Sequence, residues 1–247
     1  MPLSLPADFD VLHAVALVAL FAAWFSYSLM LRLFGSGSLN EQLSTVREQW
    51  LGTAATRGQK PFDAILLGHI VNSIAFFGSA TLIVLAGVAS VFASARSVHE
   101  TVSALALAGP SSFDLFVLHL AVVGSILALA FFSFTYALRK LIYVLALVGA
   151  LPEGTLTGEA SDQRDQMVCA SAIVLSEALK TFNFGIRAYY YSAAALGLFV
   201  SPWVCMALTF LATVTLLYRQ TRTATAGAIR SYVTVAGQSS MGAKQDG

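Results

Sequence analysis

The chain has 247 residues, of which 57% are hydrophobic and 11% charged, with a mean hydropathy of +0.75 and a formal net charge of +1. Soluble domains carry about a quarter charged residues, so a water-soluble fold is excluded, and a near-neutral chain without a basic cluster excludes nucleic acid as a partner. The apolar residues fall in long blocks rather than alternating short segments, which leaves helices, not a β-barrel, to satisfy the backbone hydrogen bonds across a lipid bilayer.

The first block covers about 11–33, enough for the roughly 20 helical residues of a crossing. Met1 to Asp10 holds no lysine or arginine, and no small-residue cleavage pattern follows the block. It is expected to stay as the first span rather than leave as a signal peptide. In "FGSGSLN", Gly35 and Gly37 mark a turn. Residues 39–57 have the polarity of an interfacial or cytoplasmic helix starting near Ser38 and Asn40, both acceptable caps. A second span is expected over 62–94 and a third apolar run over 113–150. At 1.5 Å per residue the third run reaches roughly 57 Å, well past a hydrocarbon layer of about 30 Å, so it should project beyond Arg139 and Lys140 until Pro152 stops it. A helix of mixed polarity over 161–187 then feeds a fourth span over 188–218, and residues 231–247 have the composition of a disordered tail.

Several phrases occur twice. "WFSYSLMLR" at 24–32 is echoed by "FFSFTYALR" at 131–139, "FDVLH" at 9–13 by "FDLFVLH" at 113–119, "REQWL" at 47–51 by "RDQMV" at 164–168, and "AFFGSATLIVL" at 75–85 by "AYYYSAAALGL" at 188–198. The order is kept and the offsets drift only between 104 and 117, as loop insertions would produce. The expected architecture is all-α: a polytopic membrane protein of four transmembrane helices, a tandem parallel repeat of a two-helix unit with cytoplasmic helical extensions. Residues 1–110 form the first repeat and 111–230 the second, related by an axis along the membrane normal.

Sidedness follows from the basic residues. Arg32, Arg47, Arg57 and Lys60 follow the first span, and Arg139, Lys140, Arg164, Lys180 and Arg187 follow the third, whereas the loop between spans two and three holds Arg96 alone. Both long connecting segments are therefore expected in the cytoplasm and the amino terminus outside. Four spans also put the tail with Arg219, Arg222, Arg230 and Lys244 outside, which runs against the same rule.

Glu177, Lys180, Asn183 and Arg187 follow one another at spacings of three, three and four, which makes one polar stripe on a helix. Charges near a membrane core are costly unless paired or hydrated, and often line a pathway or ligand site. The same stripe also suits the interface, with Glu177 paired to Lys180 and Arg187 reaching the headgroups. "GIRAYYYS" surrounds Arg187 with Gly185 and tyrosines, Tyr190 among them, able to hold a guanidinium by hydrogen bonds or cation–π contact. Asp63, His69 and Asn72 occupy the corresponding part of the second span; Asn72 suits an interhelical amide bond and His69 an interior histidine with its bonds satisfied.

His13 and His119 hold equivalent places in the two repeats. If their spans face a shared axis, the imidazoles could bind a metal with His99, Asp10, Asp114 or Glu100, or ligate haem. No HxxxH, HExxH or CxxCH spacing accompanies them, and residues at the headgroup level would look the same. Cys169 and Cys205 have no metal spacing and read as inert buried thiols. Small residues (Gly78, Ser79, Ala86, Gly87 and Ser90; Ala193 to Ala195 and Gly197) permit close helix packing within the chain, in a homo-oligomer or against a partner in a membrane complex. No phosphate-binding loop, nucleophile elbow or paired-carboxylate site occurs, so there is no enzyme signature and no cofactor is indicated.

"VREQW", Asp63 before the second span, "VNSIAFFGSATLIVLAG" and "FNFGIRAYYYSAAALGLFVSPW" resemble the bacterial branch of the family catalogued as domain of unknown function 599 (DUF599), over roughly residues 10–230. The resemblance implies a four-helix protein of a bacterial inner membrane and brings no activity with it. It singles out Arg47, Trp50, Asp63, Asn72, Gly185, Arg187, Tyr190 and Pro202. The function expected first is binding or permeation of a small solute, ion or lipid headgroup at a cytoplasm-facing site, with Arg187, Lys180, Glu177, Asn183, Arg47, Asp63, Asn72 and Tyr190 as candidates. The alternatives are an accessory or scaffold subunit whose polar stripe docks a partner, and metal or haem binding at His13 and His119.

Overall fold

The computed structural model describes residues 6–34, 39–57, 61–104 and 111–245, and every regular element among them is helical. Gly35, Gly37, Ser38 and Lys60 lie outside the described residues. The order is α1 (Val11–Phe34), α2 (Leu39–Thr56), α3 (Pro61–Ala93), α4 (Ala95–Ser103), α5 (Phe113–Gly149), α6 (Glu159–Ala195), a 3₁₀ turn (Leu196–Phe199), α7 (Pro202–Thr221) and α8 (Ala224–Gln245). The expected first three spans are α1, α3 and α5, the polar helix is α2, and the helix of mixed polarity is the start of α6. The turn between spans two and three carries α4, and residues 231–245 lie on α8.

The fourth apolar run is not a single helix. It breaks at the 3₁₀ turn, after which Ser201 caps α7 by accepting a hydrogen bond from the Val204 amide at 3.2 Å, with Pro202 as the first helical residue. The cause is local: the residue before a proline is pushed out of the α region, and serine at the cap with proline next is a preferred helix start. Gly197 completes the turn, because a Cβ there would lie 2.9 Å from the Cys205 backbone. Among the described residues five helices, not four, are long and apolar enough to cross a membrane, the fifth being Pro202–Gly237. The range 111–230, expected to hold two spans, contains α5, α6 and α7.

Contacts divide the chain into two compact units, each drawing on both halves of the sequence. Unit 1 comprises Met1–Leu29, Phe77–Ser133 and Phe184–Leu216; unit 2 comprises Met30–Phe76, Phe134–Asn183 and Leu217–Gly247. In unit 1, Ala16, Leu20, Trp24 and Tyr27 recur every three or four residues on α1 and are at most 1% exposed, whereas Val18, Phe25 and Leu29 on the other face are 58–68% exposed. Lipid tails are as apolar as leucine, so the outward apolar face costs nothing in a bilayer, and packing depends on the fit of the inner face. Asp8 ties the entering chain to α5 by accepting bonds from the Ser112 amide and hydroxyl, both at 2.6 Å, and Ser112 in turn caps α5 by accepting from the Leu115 amide at 3.2 Å. Burial nudges the Asp8 carboxyl up, but the Ser112 bonds outweigh it and hold the group below the ordinary aspartate value.

Unit 2 packs Leu51, Ala54 and Ala55 of α2, Phe134, Ala137, Leu141 and Val144 of α5, and Leu175 and Ala178 of α6 as its buried residues. Helix α8 lies against α2. The start of α2 is held by the Leu39 amide, which donates to Gln220 Oε1 at 3.3 Å.

Candidate functional site

Unit 2 builds its polar groups around the corner between α2 and α3. Pro61 opens α3, where its missing N–H is no loss, and Asp63 stands in the first turn, where the helix dipole favours a negative charge. The Asp63 carboxylate is 2% exposed and fully engaged. Trp50 Nε1 donates to Oδ1 at 2.7 Å, and Arg57 Nη1 donates to Oδ1 and Oδ2 at 3.1 and 3.3 Å. An apolar cavity of about 160 Å³ adjoins it, lined by Ala54, Ala55, Asp63, Leu67, Leu145 and Val148 among others. Arg47, one turn before Trp50, donates to Asn40 O and Oδ1 at 3.2 and 2.9 Å and to Ser176 Oγ at 3.1 Å, stitching α2 to α6. Burial lowers its proton affinity, yet an arginine stays charged.

The residues of the stripe expected on α6 meet different partners. Lys180 pairs with Glu177 at 3.2 Å, both groups being exposed. Lys140 donates to Thr181 Oγ1 at 2.8 Å and sits 4.7 Å from the Tyr136 ring centroid. Asn183 is half-buried. Asn72, expected to bond a neighbouring helix, is exposed and has no hydrogen-bond partner among the described residues; His69, expected in the interior, is exposed as well. Both correct the sequence reading for one reason: α3 is only 17% buried along its apolar window, and periodicity cannot tell which face of so apolar a helix is covered.

Unit 1 brings His13 and His119 together, stacked with ring centroids 5.6 Å apart and planes 20° apart. His13 Nδ1 lies 2.6 Å from Asp10 Oδ1, and His119 is buried against Phe199. His99 turns away, its Nε2 2.9 Å from the Ser111 carbonyl oxygen. No group of three or more His, Cys, Asp or Glu among the described residues is placed to hold a metal ion.

Arg187 belongs to unit 1, where it meets aromatic faces instead of carboxylates. Its Cζ lies 4.9 Å from the Tyr27 ring centroid and 5.6 Å from that of Phe184. Trp24 stacks on Phe184 at 5.0 Å and tilts toward Tyr191 at 6.3 Å, and the Tyr191 hydroxyl is 3.0 Å from Thr213 Oγ1. Gly185 is buried beside it, and Tyr190 is half-buried. Trp24 Nε1, Tyr27 Oη and Arg187 Nε are buried and have no hydrogen-bond partner among the described residues.

The family model described as "Protein of unknown function, DUF599" matches residues 14–225. The chain belongs to this family. No curated protein and no solved structure matches it. Both the Asp63 corner and the Arg187 cluster fall within the DUF599 region. Within that region, the sequence names Arg187, Arg47 and Asp63 as candidates but not Trp24, Tyr27 or the contact of Arg57 with Asp63. The available signal was the i,i+3 spacing of tryptophan and tyrosine in "WFSYSLMLR", which reads as a repeat marker because nothing in one helix reveals what faces it.

Proposed function

We propose that this chain is an integral membrane protein that binds or passes a small solute, ion or lipid headgroup, and that Arg187 is the residue that engages it. The observation that carries this is a guanidinium with no carboxylate within 4.0 Å among the described residues and only ring faces beside it. Arg187 is half-buried with its Nε fully covered; a cation–π contact offsets about 0.5–2 kcal/mol, while full burial of an ion costs several, so even partial desolvation rivals what the rings return. The balance favours keeping such a group only where something else compensates it. The Glu177–Lys180 pair, exposed and self-satisfied, contributes nothing comparable.

The reading includes a topology. With α7 as a fifth crossing, Arg219, Arg222 and Arg230 fall on the same side as Arg32, Arg47, Arg57, Arg139 and Lys140, which removes the conflict that four spans create and supports an amino terminus outside a bacterial inner membrane. The stacking of His13 on His119, equivalent positions in the repeated phrases, supports two halves related by an axis along the membrane normal. The test is native mass spectrometry of the detergent-purified chain together with solute flux into liposomes. A co-purifying species or flux that disappears in Arg187→Ala supports the reading. Sealed liposomes and a bare protein of unchanged mass in both forms count against it.

A second reading, an accessory subunit, draws on α3. His69, Asn72 and Phe76 stand three and four residues apart on that helix and all are exposed, and an amide left facing hydrocarbon is better placed against a partner helix. Stoichiometric co-purification of one membrane partner, lost in Asn72→Leu, distinguishes it.

A further inference from the structure

We infer that the species held at Arg187 is an oxyanion, a carboxylate or a phosphate, bound by Arg187 together with the indole N–H of Trp24 and the hydroxyl of Tyr27. This rests on the reading that Arg187 engages a ligand and adds its chemical class.

Trp24 and Tyr27 are one helical turn apart on α1, and Phe184 and Arg187 one turn apart on α6, so the two pairs form a single cluster through the Trp24–Phe184 stack and the Arg187–Tyr27 contact. Trp24 is 0% exposed and Tyr27 1%. Each presents its polar atom without a partner, as does Arg187 Nε. An indole and a guanidinium are donors only, and a tyrosine hydroxyl donates as readily as it accepts. What the cluster lacks is therefore acceptors and negative charge. The described residues bring no carboxylate within 4.0 Å of Arg187, and the acidic residues in the sequence ranges of unit 1 are Asp8, Asp10, Glu100 and Asp114, of which Asp8 is bound to Ser112 and Asp10 to His13.

Buried donors left without acceptors are rare and costly, and the cost rises with depth in a membrane. The middle of the Val11–Leu33 span is Ala22, and Tyr27 is five residues further on, roughly 7 Å along the helix, within the hydrocarbon thickness. A neutral apolar solute would leave every donor unmet, and a cation would repel Arg187. An oxyanion offers several lone pairs and cancels the charge, and charge-assisted bonds to it are the strong kind.

The oxygen could belong to a free anion or to an acidic lipid headgroup, and the experiment separates the two. The full chain, purified in maltoside detergent, is titrated calorimetrically with inorganic phosphate and with acetate; in parallel, phosphatidylglycerol is added and bound adducts are counted by native mass spectrometry. The expected result is one saturable site for at least one of these probes. Affinity should fall about tenfold or more in Arg187→Gln and about fivefold in Trp24→Phe and Tyr27→Phe, with partial recovery in Arg187→Lys and no change in Lys180→Gln. Each variant is first confirmed monodisperse with an intact thermal transition. A folded wild type without a saturable response to any of the three probes overturns the inference, as does undiminished binding by Arg187→Gln. If instead a neutral or cationic solute binds and is lost in Arg187→Ala, the proposed function survives and the oxyanion assignment falls.

Discussion

The two units differ in how they meet most of their positive charge. The sequence ranges of unit 2 contain every lysine and arginine except Arg96 and Arg187. There Arg32, Arg57, Arg164 and Lys180 lie 3.1–3.7 Å from carboxylates, and Arg47 donates to Asn40 and Ser176. Unit 1 offers its two cations rings instead: Arg96 lies 5.4 Å from the Phe113 centroid and Arg187 4.9 Å from that of Tyr27. In unit 2 an arginine serves the fold, closing the corner between α2 and α3 or stitching α2 to α6. In unit 1 Arg96 is exposed and carries no burial cost, whereas Arg187 is half-buried, and there the ring contacts return less than desolvation costs, so that an apolar residue of similar volume would be no less stable. On the proposed function, Arg187 is kept for what it engages rather than for what it holds up.

That contrast can be attacked directly. Arg57→Ala leaves the buried Asp63 carboxylate with the Trp50 indole as its side-chain donor among the described residues, and should destabilise the purified protein by about 2–3 kcal/mol, less than for a fully buried pair because Arg57 keeps contact with water. Thermal unfolding in detergent reads it, and the double variant Arg57→Ala/Asp63→Ala should regain part of the loss. Arg187→Met should behave in the opposite sense: in ligand-free protein the melting temperature is unchanged or raised, by the equivalent of about 1 kcal/mol. A marked drop would mean that Arg187 is structural after all, and the difference between the units would vanish. Lys180→Ala is expected to shift stability by no more than about 0.5 kcal/mol, since the Glu177 pair is exposed.

The smallest effect concerns pH. The Asp8 carboxyl titrates below its ordinary value when folded, so its contribution is complete above about pH 4 and is lost as the pH falls through the lowered value. Hydrogen exchange at the Ser112 amide should accelerate on that descent, and Asp8→Asn should weaken the pH dependence. A flat profile would remove Asp8 as the tie between the entering segment and α5.

Much of the architecture was legible because hydrocarbon imposes length. The spans α1, α3 and α5 and the polar helix α2 follow from runs of apolar residues and their interruptions. The fifth helix was missed although its signals were present: "GLFVSPW" contains the glycine that lets the backbone close on Cys205 and the Ser–Pro start of α7. Composition runs unbroken through that stretch, and a window tuned to hydropathy passes over a turn made by two residues. At the candidate site, Arg187 and Asp63 stood out as charges in apolar surroundings and Trp50 through the family resemblance, whereas Trp24 and Tyr27 stood only inside a repeated phrase.

The amino-acid sequence alone determined that the chain is helical and membrane-embedded, where most helices lie, and which charges are out of place, since these depend on the solvation of each residue and on local backbone preference. Only the tertiary structure decided that Asp63 is compensated by Trp50 and Arg57 while Arg187 is not, and that His13 stacks on His119. Compensation depends on groups brought within a few ångströms from distant parts of the chain, and no local pattern encodes that distance.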